Sequence, residues 1–226
     1  MNYLAHGYRF VDRPYFLAGA ALPDWLNVVD RRCRVRSKHV LPWCDSEDVA
    51  LAEFARGAAQ HHFDDGWFHE SQAFYELSWQ LTCAFRERLN PDDGMRPSFL
   101  GHIVVELLLD AVLHEQSPGL LDAYYDALDQ VDPTEIERWV ARLAPRPATG
   151  LGRFIELFRQ SRFLYDYADD AKLCYRLNQV MRRVGLPALP ETICEILAPA
   201  RVAVAARVPE LLAGAPTPIH GEELTR

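Results

Sequence analysis

The stretch Gly101-His102-Ile103-Val104-Val105-Glu106-Leu107-Leu108-Leu109-Asp110-Ala111-Val112-Leu113-His114 reads as a helix, and as a buried one. Leu107, Leu108, Leu109, Val112 and Leu113 leave little of its surface for water, yet Glu106, Asp110 and His114 recur at intervals of four. Residues four apart on a helix are displaced by about 40° around the axis and ~6 Å along it, so these three share a face. A buried carboxylate without a partner costs several kcal/mol, so something must compensate Glu106 and Asp110. Helical spacing continues outward in both directions, and no period-2 stretch bounded by hairpin signals interrupts it. The expected fold is all-α, a single-domain helical bundle over residues 1–212 followed by a loose tail at 213–226.

Proline, glycine and capping residues divide the chain into helices expected at Ser46 to His69, Gln72 to Leu89, Ser98 to Glu115, Leu120 to Val131, Leu151 to Tyr165, Asp169 to Val184 and Glu191 to Leu212. Pro133 with Thr134 and Glu135 has the form of a further helix start. A small-residue helix around Leu17 is expected to end at Asp24.

Composition narrows the function classes. Of 226 residues, 49% are hydrophobic and 25% charged, which excludes disorder as the main state. Lys and Arg number 24 against 32 Asp and Glu, a net charge of −8 that argues against general nucleic-acid binding, so any phosphate must be held locally. No apolar run is expected to reach the ~18 residues of a membrane span, and Arg9, Asp12 and Arg13 interrupt any signal-peptide core, so a cytoplasmic location is expected. The five scattered cysteines, an odd number, read as reduced thiols. No Gly-x-Ser-x-Gly elbow, P-loop or Gly-x-Gly-x-x-Gly is present.

Seven of the eight histidines lie in the first 115 positions. His61, Asp65 and His69 repeat the pattern of Glu106, Asp110 and His114: a ligand-type residue, an Asp and a His at steps of four. Composition yields about 0.1 such triples by chance, and the chain holds two. Histidine nitrogens and carboxylates shared between facing helices are how metal centres are built in bundles. His6, in an apolar opening, and Asp24 join the set. Near Asp24, Arg31, Arg32, Arg34, Arg36 and Lys38 place a dense cationic run in an acidic chain; it reads either as a solvated face or as a contact for phosphate or an acidic partner.

The run Met1-Asn2-Tyr3-Leu4-Ala5-His6, followed by Gly19 and Asp24, closely resembles the opening of the bacterial acyl-carrier-protein phosphodiesterase family, distant relatives of the HD-domain metal-dependent phosphohydrolases. His61 and Asp65 fall where that family has a His and an Asp four apart, and His69 where it has a further acid. The Asp24 segment and the helix with Glu106 and Asp110 also look like the zinc-dependent phospholipase C group, where a His-x-x-x-Asp occupies that helix. The chain departs from the first family at His62 and Phe63, where basic residues are usual, and from the second at Glu106. The resemblance covers residues 1–115 and implies an all-α, HD-domain-like or phospholipase-C-like, metal-dependent phosphoesterase.

These readings converge on a metal-dependent phosphodiesterase or phosphatase. Its metal ligands are expected to be His6, Asp24, His61, Asp65, Glu106 and Asp110, holding one or two divalent ions, zinc, manganese or iron, with magnesium also admissible. His69, His102 and His114 are expected as catalytic acid/base groups, second-layer partners or further ligands. The expected partner is a phosphorylated small molecule, phospholipid-like or carrier-bound, or an acidic carrier protein. The alternative is a non-catalytic helical interaction protein whose polar cluster is decayed or structural.

Overall fold

The computed structural model describes residues 1–215. Among them the secondary structure is entirely helical: α1 (Tyr3–Gly7), α2 (Pro14–Val29), α3 (Ser37–Val40), α4 (Val49–Glu70), α5 (Gln72–Arg88), α6 (Pro97–Gln116), α7 (Leu120–Leu128), α8 (Pro133–Leu143), α9 (Leu151–Ser161), α10 (Asp170–Val184) and α11 (Leu197–Leu211). Short 3-10 segments at Leu41–Trp43, Pro91–Asp93, Phe163–Ala168 and Glu191–Ile196 join some of them. The all-α expectation holds.

α6 is the central element, packed against α5, α11, α1 and the 3-10 segment Phe163–Ala168. At 20 residues and a mean hydropathy of 1.4, it is long and apolar enough to cross a membrane, contrary to the expectation that no stretch would be. Burial in the core accounts for that composition here: Leu100, Val104, Val105, Leu108 and Leu109 are fully covered by neighbouring helices.

Local chemistry sets most of the boundaries. Asp48 accepts a hydrogen bond from the Leu51 amide and starts α4 three residues later than Ser46. Ser71 caps α5 through the Phe74 amide and separates it from α4. Asp132 accepts from Thr134 and Glu135 and starts α8, a complete helix where the sequence had marked only a start; Ile136, Trp139, Val140 and Leu143 form its buried face. Three expected helices are shorter. α7 stops at Leu128, α9 stops where Arg162 turns left-handed (φ 44°), and the stretch from Glu191 begins as a 3-10 segment. α2 instead runs past Asp24 to Val29, through Pro23.

α2 and α4 make the closest helix pair, because glycine lets their backbones meet. A β-carbon on Gly57 would lie 1.9 Å from the Phe16 carbonyl oxygen, and one on Gly19 would lie 2.0 Å from that of Phe54. Since Asp24 rides on α2 and His61 on α4, this contact sets their spacing. Gly57→Ala is expected to force the helices apart and destabilise the chain by about 2–3 kcal/mol, read as a lower urea midpoint at unchanged slope.

Two further expectations are revised. Cys174 and Cys194 form a disulfide that ties α10 to the Glu191–Ile196 segment, while Cys33, Cys44 and Cys83 are free thiols. Of the expected loose tail, 213–215 form a turn in which Gly214 closely approaches the Trp67 ring, and 216–226 lie outside the described residues.

Candidate metal centre

α1, α4 and α6 bring the candidate ligands together in two groups. In the first, His6 of α1 and His61 and Asp65 of α4 converge: His6 Nε2 is 3.3 Å from Asp65 Oδ1, and His61 Nε2 is 3.4 Å from Asp65 Oδ2. The two imidazoles stack with centroids 3.8 Å apart. In the second, His69 Nε2 and His102 Nε2 both point at Glu106 Oε1, at 2.9 and 3.2 Å, with their rings stacked at 4.8 Å. The Phe74 ring stands edge-on to both. The α-amino group of Met1 links the groups, 2.8 Å from Asp65 Oδ1 and 3.2 Å from Glu106 Oε1.

Protonation follows from the neighbours. His61 Nδ1 lies 2.8 Å from the Ala20 carbonyl, an acceptor, so Nδ1 carries a proton and Nε2 is the nitrogen turned to Asp65. The His6 ring is fully buried, and neither of its nitrogens makes a hydrogen bond. A buried imidazole of that kind needs a reason: Nδ1 faces Asp64 at 3.8 Å, and Nε2, turned to Asp65, is the nitrogen that a metal ion would take in a His, His, carboxylate donor set.

The carboxylates are held in different states. Burial pushes Asp65 upward, but His6, His61 and the α-amino group outweigh it and hold the carboxyl far below its usual range. Glu106 is likewise raised by burial and then pulled well below its usual range by the α-amino group, His102 and His69. Burial alone would lower the α-amino group, yet Glu106 and Asp65 raise it to about 10. Asp24 goes the other way: burial dominates and pushes it up to about 7.

Several expected residues lie elsewhere. Asp110 stands in neither group. One of its oxygens accepts from Leu4 N (3.0 Å) and Asn2 Nδ2 (2.8 Å) and the other from Ala5 N (2.7 Å), so it fastens the first turn of α1 to α6. Its spacing from Glu106 is that of a ligand, but the N-terminal turn reaches it first. His114, two turns beyond Glu106, stands edge-on to Tyr165 and belongs to neither group. Asp24 is also outside both; its buried Oδ2 has no hydrogen-bond partner, and its carboxyl faces His61, the α-amino group, Asp65 and Glu106 from the wall of the site.

The cationic run divides. Arg34 and Arg36 line a cavity of about 400 Å³ together with His61, His62, Asp65 and Asn27. Arg31 instead donates to the Arg183 carbonyl, Arg32 pairs with Asp30, and exposed Lys38 sits on α3 away from the cavity lining. A second cavity, about 460 Å³, has Asp24 and Glu106 in its wall and draws much of its lining from α9, α10 and the segment between them. Asn27 borders both cavities.

Comparison with protein-family models, with curated proteins and with solved structures found no match. The site must be read from its own chemistry.

Sequence reasoning missed Asp64. It is fully buried behind His6 and accepts from Arg9 Nη2 (3.2 Å to each oxygen), Gln60 Nε2 (2.9 Å) and Trp67 Nε1 (3.2 Å). The Gln60–Asp64 spacing was a usable signal; the approach of Arg9 from 55 residues away was not. His62, which donates Nε2–H to the Val35 carbonyl at 2.8 Å, ties α4 to the cationic segment and was also passed over as a contact.

Proposed function

We propose that this protein is a metal-dependent phosphoester hydrolase. His6, His61 and Asp65 would hold one divalent ion, and His69, His102 and Glu106 a second. The observation that carries the reading is the pair of His, His, carboxylate groups, of which the first borders the cavity lined by Arg34 and Arg36 through His61 and Asp65. Nitrogen-rich donors of this kind suit zinc, manganese or iron better than magnesium. The ion would supply Lewis acidity toward a phosphoryl oxygen and make water a competent nucleophile near neutral pH. The chain's own residues would do the rest. Arg34 and Arg36 offer planar forks to phosphate oxygens. Asp24, carrying a proton near neutrality and bordering the site, is placed to act as a proton donor. The Ala20 carbonyl holds the His61 tautomer, and Asp64 walls in His6 from behind.

A different reading has one observation in its favour. The Met1 ammonium already stands between Asp65 and Glu106, so the chain itself supplies a cation, and the cluster would then be purely structural. Elemental analysis of the untagged protein after exhaustive dialysis separates the two. One or two equivalents of zinc, manganese or iron are expected, with a rise in Tm when the ion is restored to stripped protein, since a ligand of the folded state stabilises it. Absence of bound metal, with no thermal response to any of these ions, overturns the hydrolase reading in favour of the structural one.

A further inference from the structure

The second cavity has walls that no phosphate group requires. Tyr3, Ile103, Phe154, Leu157, Phe158 and Phe163 line it; Tyr3 and Phe158 are buried at its floor, while Leu157 is 45% exposed and Ile103, Phe154 and Phe163 are half-buried. Its volume of about 460 Å³ lies within the ~300–1,000 Å³ range of small-molecule sites, which are mostly apolar with a few placed polar groups. Its polar groups stand at two ends: Arg176, Gln179 and Arg183 on α10, and Asp24 and Glu106 on the side of the candidate metal centre, which an occupant therefore reaches. On the other side, His61 and Asp65 border the arginine-lined cavity, and the Met1 amine spans from Asp65 to Glu106. The two ligand groups therefore lie where a cationic polar cavity and an apolar one meet.

We propose that the apolar cavity binds the hydrocarbon chain of a single-chain amphiphilic phosphoester, whose phosphoryl group sits at the ligand groups beside Arg34 and Arg36. As a statement about substrate this rests on the hydrolase reading; as a statement about a chain-binding cavity it does not. The reaction would break the P–O bond to the apolar alcohol. The oxygen of water goes to phosphorus and a proton to the departing alcohol oxygen, with no change of oxidation state. This assigns a role to α9 and α10, which contribute no residue to either ligand group.

Calorimetric titration of the full chain with octyl phosphate and with inorganic phosphate, on stripped and on zinc-loaded protein, tests the proposal. Each methylene buried strengthens binding by about fourfold, so burial of only about three or four carbons of the chain makes octyl phosphate bind about a hundredfold more tightly than inorganic phosphate. It should also show a negative heat-capacity change that phosphate lacks. Leu157→Asp, at an exposed position where folding tolerates a charge, is expected to remove about tenfold or more of the octyl phosphate affinity and to leave phosphate binding unchanged. Equal affinities for the two ligands, or octyl phosphate binding indifferent to Leu157→Asp, overturn the proposal. The two readings fail differently: phosphate binding that ignores zinc counts against the metal centre, whereas the gain from the octyl chain is expected in both forms of the protein.

Discussion

Asp65→Asn is expected to lower zinc affinity by about a hundredfold or more and to remove most phosphoesterase activity, while the helical circular-dichroism spectrum stays unchanged. Asp65 is the one residue that meets His6, His61 and the Met1 amine at once, its two oxygens divided between the imidazoles. Changing a residue that merely supports a metal ligand typically lowers affinity 10–100-fold, so loss of the carboxylate itself falls at or beyond the top of that range. The amide keeps the shape of the side chain but presents one neutral oxygen and two N–H donors, which a divalent ion does not accept. Competition against a chromophoric chelator measures the affinity, and steady-state hydrolysis of a nitrophenyl phosphodiester measures the activity. An Asp65→Asn protein that held zinc as tightly as the parent would remove Asp65 from the centre.

Asp110→Ala should produce the largest loss of stability of any substitution considered, about 3–5 kcal/mol, without acting on the metal centre directly. Asp110 is buried and accepts from two backbone amides and one side-chain amide of the first turn. Truncation strands the two buried amides of Leu4 and Ala5 and unpairs the partly buried Asn2 amide, each unsatisfied buried donor costing about 1–3 kcal/mol. Urea denaturation is the measurement. Asp110→Asn, which keeps one acceptor oxygen and the volume, is expected to cost about 1–2 kcal/mol and to retain the parent's metal content. A folded Asp110→Asn protein that lost its metal would return Asp110 to the ligand set. Comparison of Asp65 with Asp110 is therefore the sharpest contrast available: two aspartates at equivalent positions of two similar triples, one expected to govern metal and the other folding.

The contrast also marks how far spacing can be read. His61 with Asp65, and His102 with Glu106, are pairs four apart on single helices, and helical geometry brings each pair together whatever the rest of the chain does. Neither triple, His61 with Asp65 and His69 or Glu106 with Asp110 and His114, meets as one group. His69, at the end of α4, reaches across to Glu106 instead of completing a site with Asp65, and Asp110 is taken by the backbone of α1. Which neighbour a third residue meets depends on the helix packed opposite, and nothing local carries that information. The same holds for Asp24: its position after a small-residue run and the resemblance brought it into the set, but burial of its carboxyl, which pushes it up to about 7, follows from the packing of α2 on α4 through Gly19 and Gly57.

Helix content, the burial of α6 and the pairing of His61 with Asp65 were legible because they follow from periodicity and side-chain chemistry, both local to the chain. The cysteines were less legible. Cys174 and Cys194 are separated by 20 residues with no motif between them, and only the return of the Glu191–Ile196 segment onto α10 brings them within bonding distance. The apolar cavity was least legible of all. Its walls come from α1, α2, α6, α9 and α10, and every apolar residue in them looks, taken singly, like ordinary core. Local chemistry along the chain thus accounts for an all-helical fold among the described residues, with candidate ligand side chains crowded into its first half. The grouping of those side chains into two sets, the diversion of Asp110 to the backbone and the space left between helices required long-range packing, because a cavity and a shared ligand are properties of surfaces that meet only when the helices are assembled.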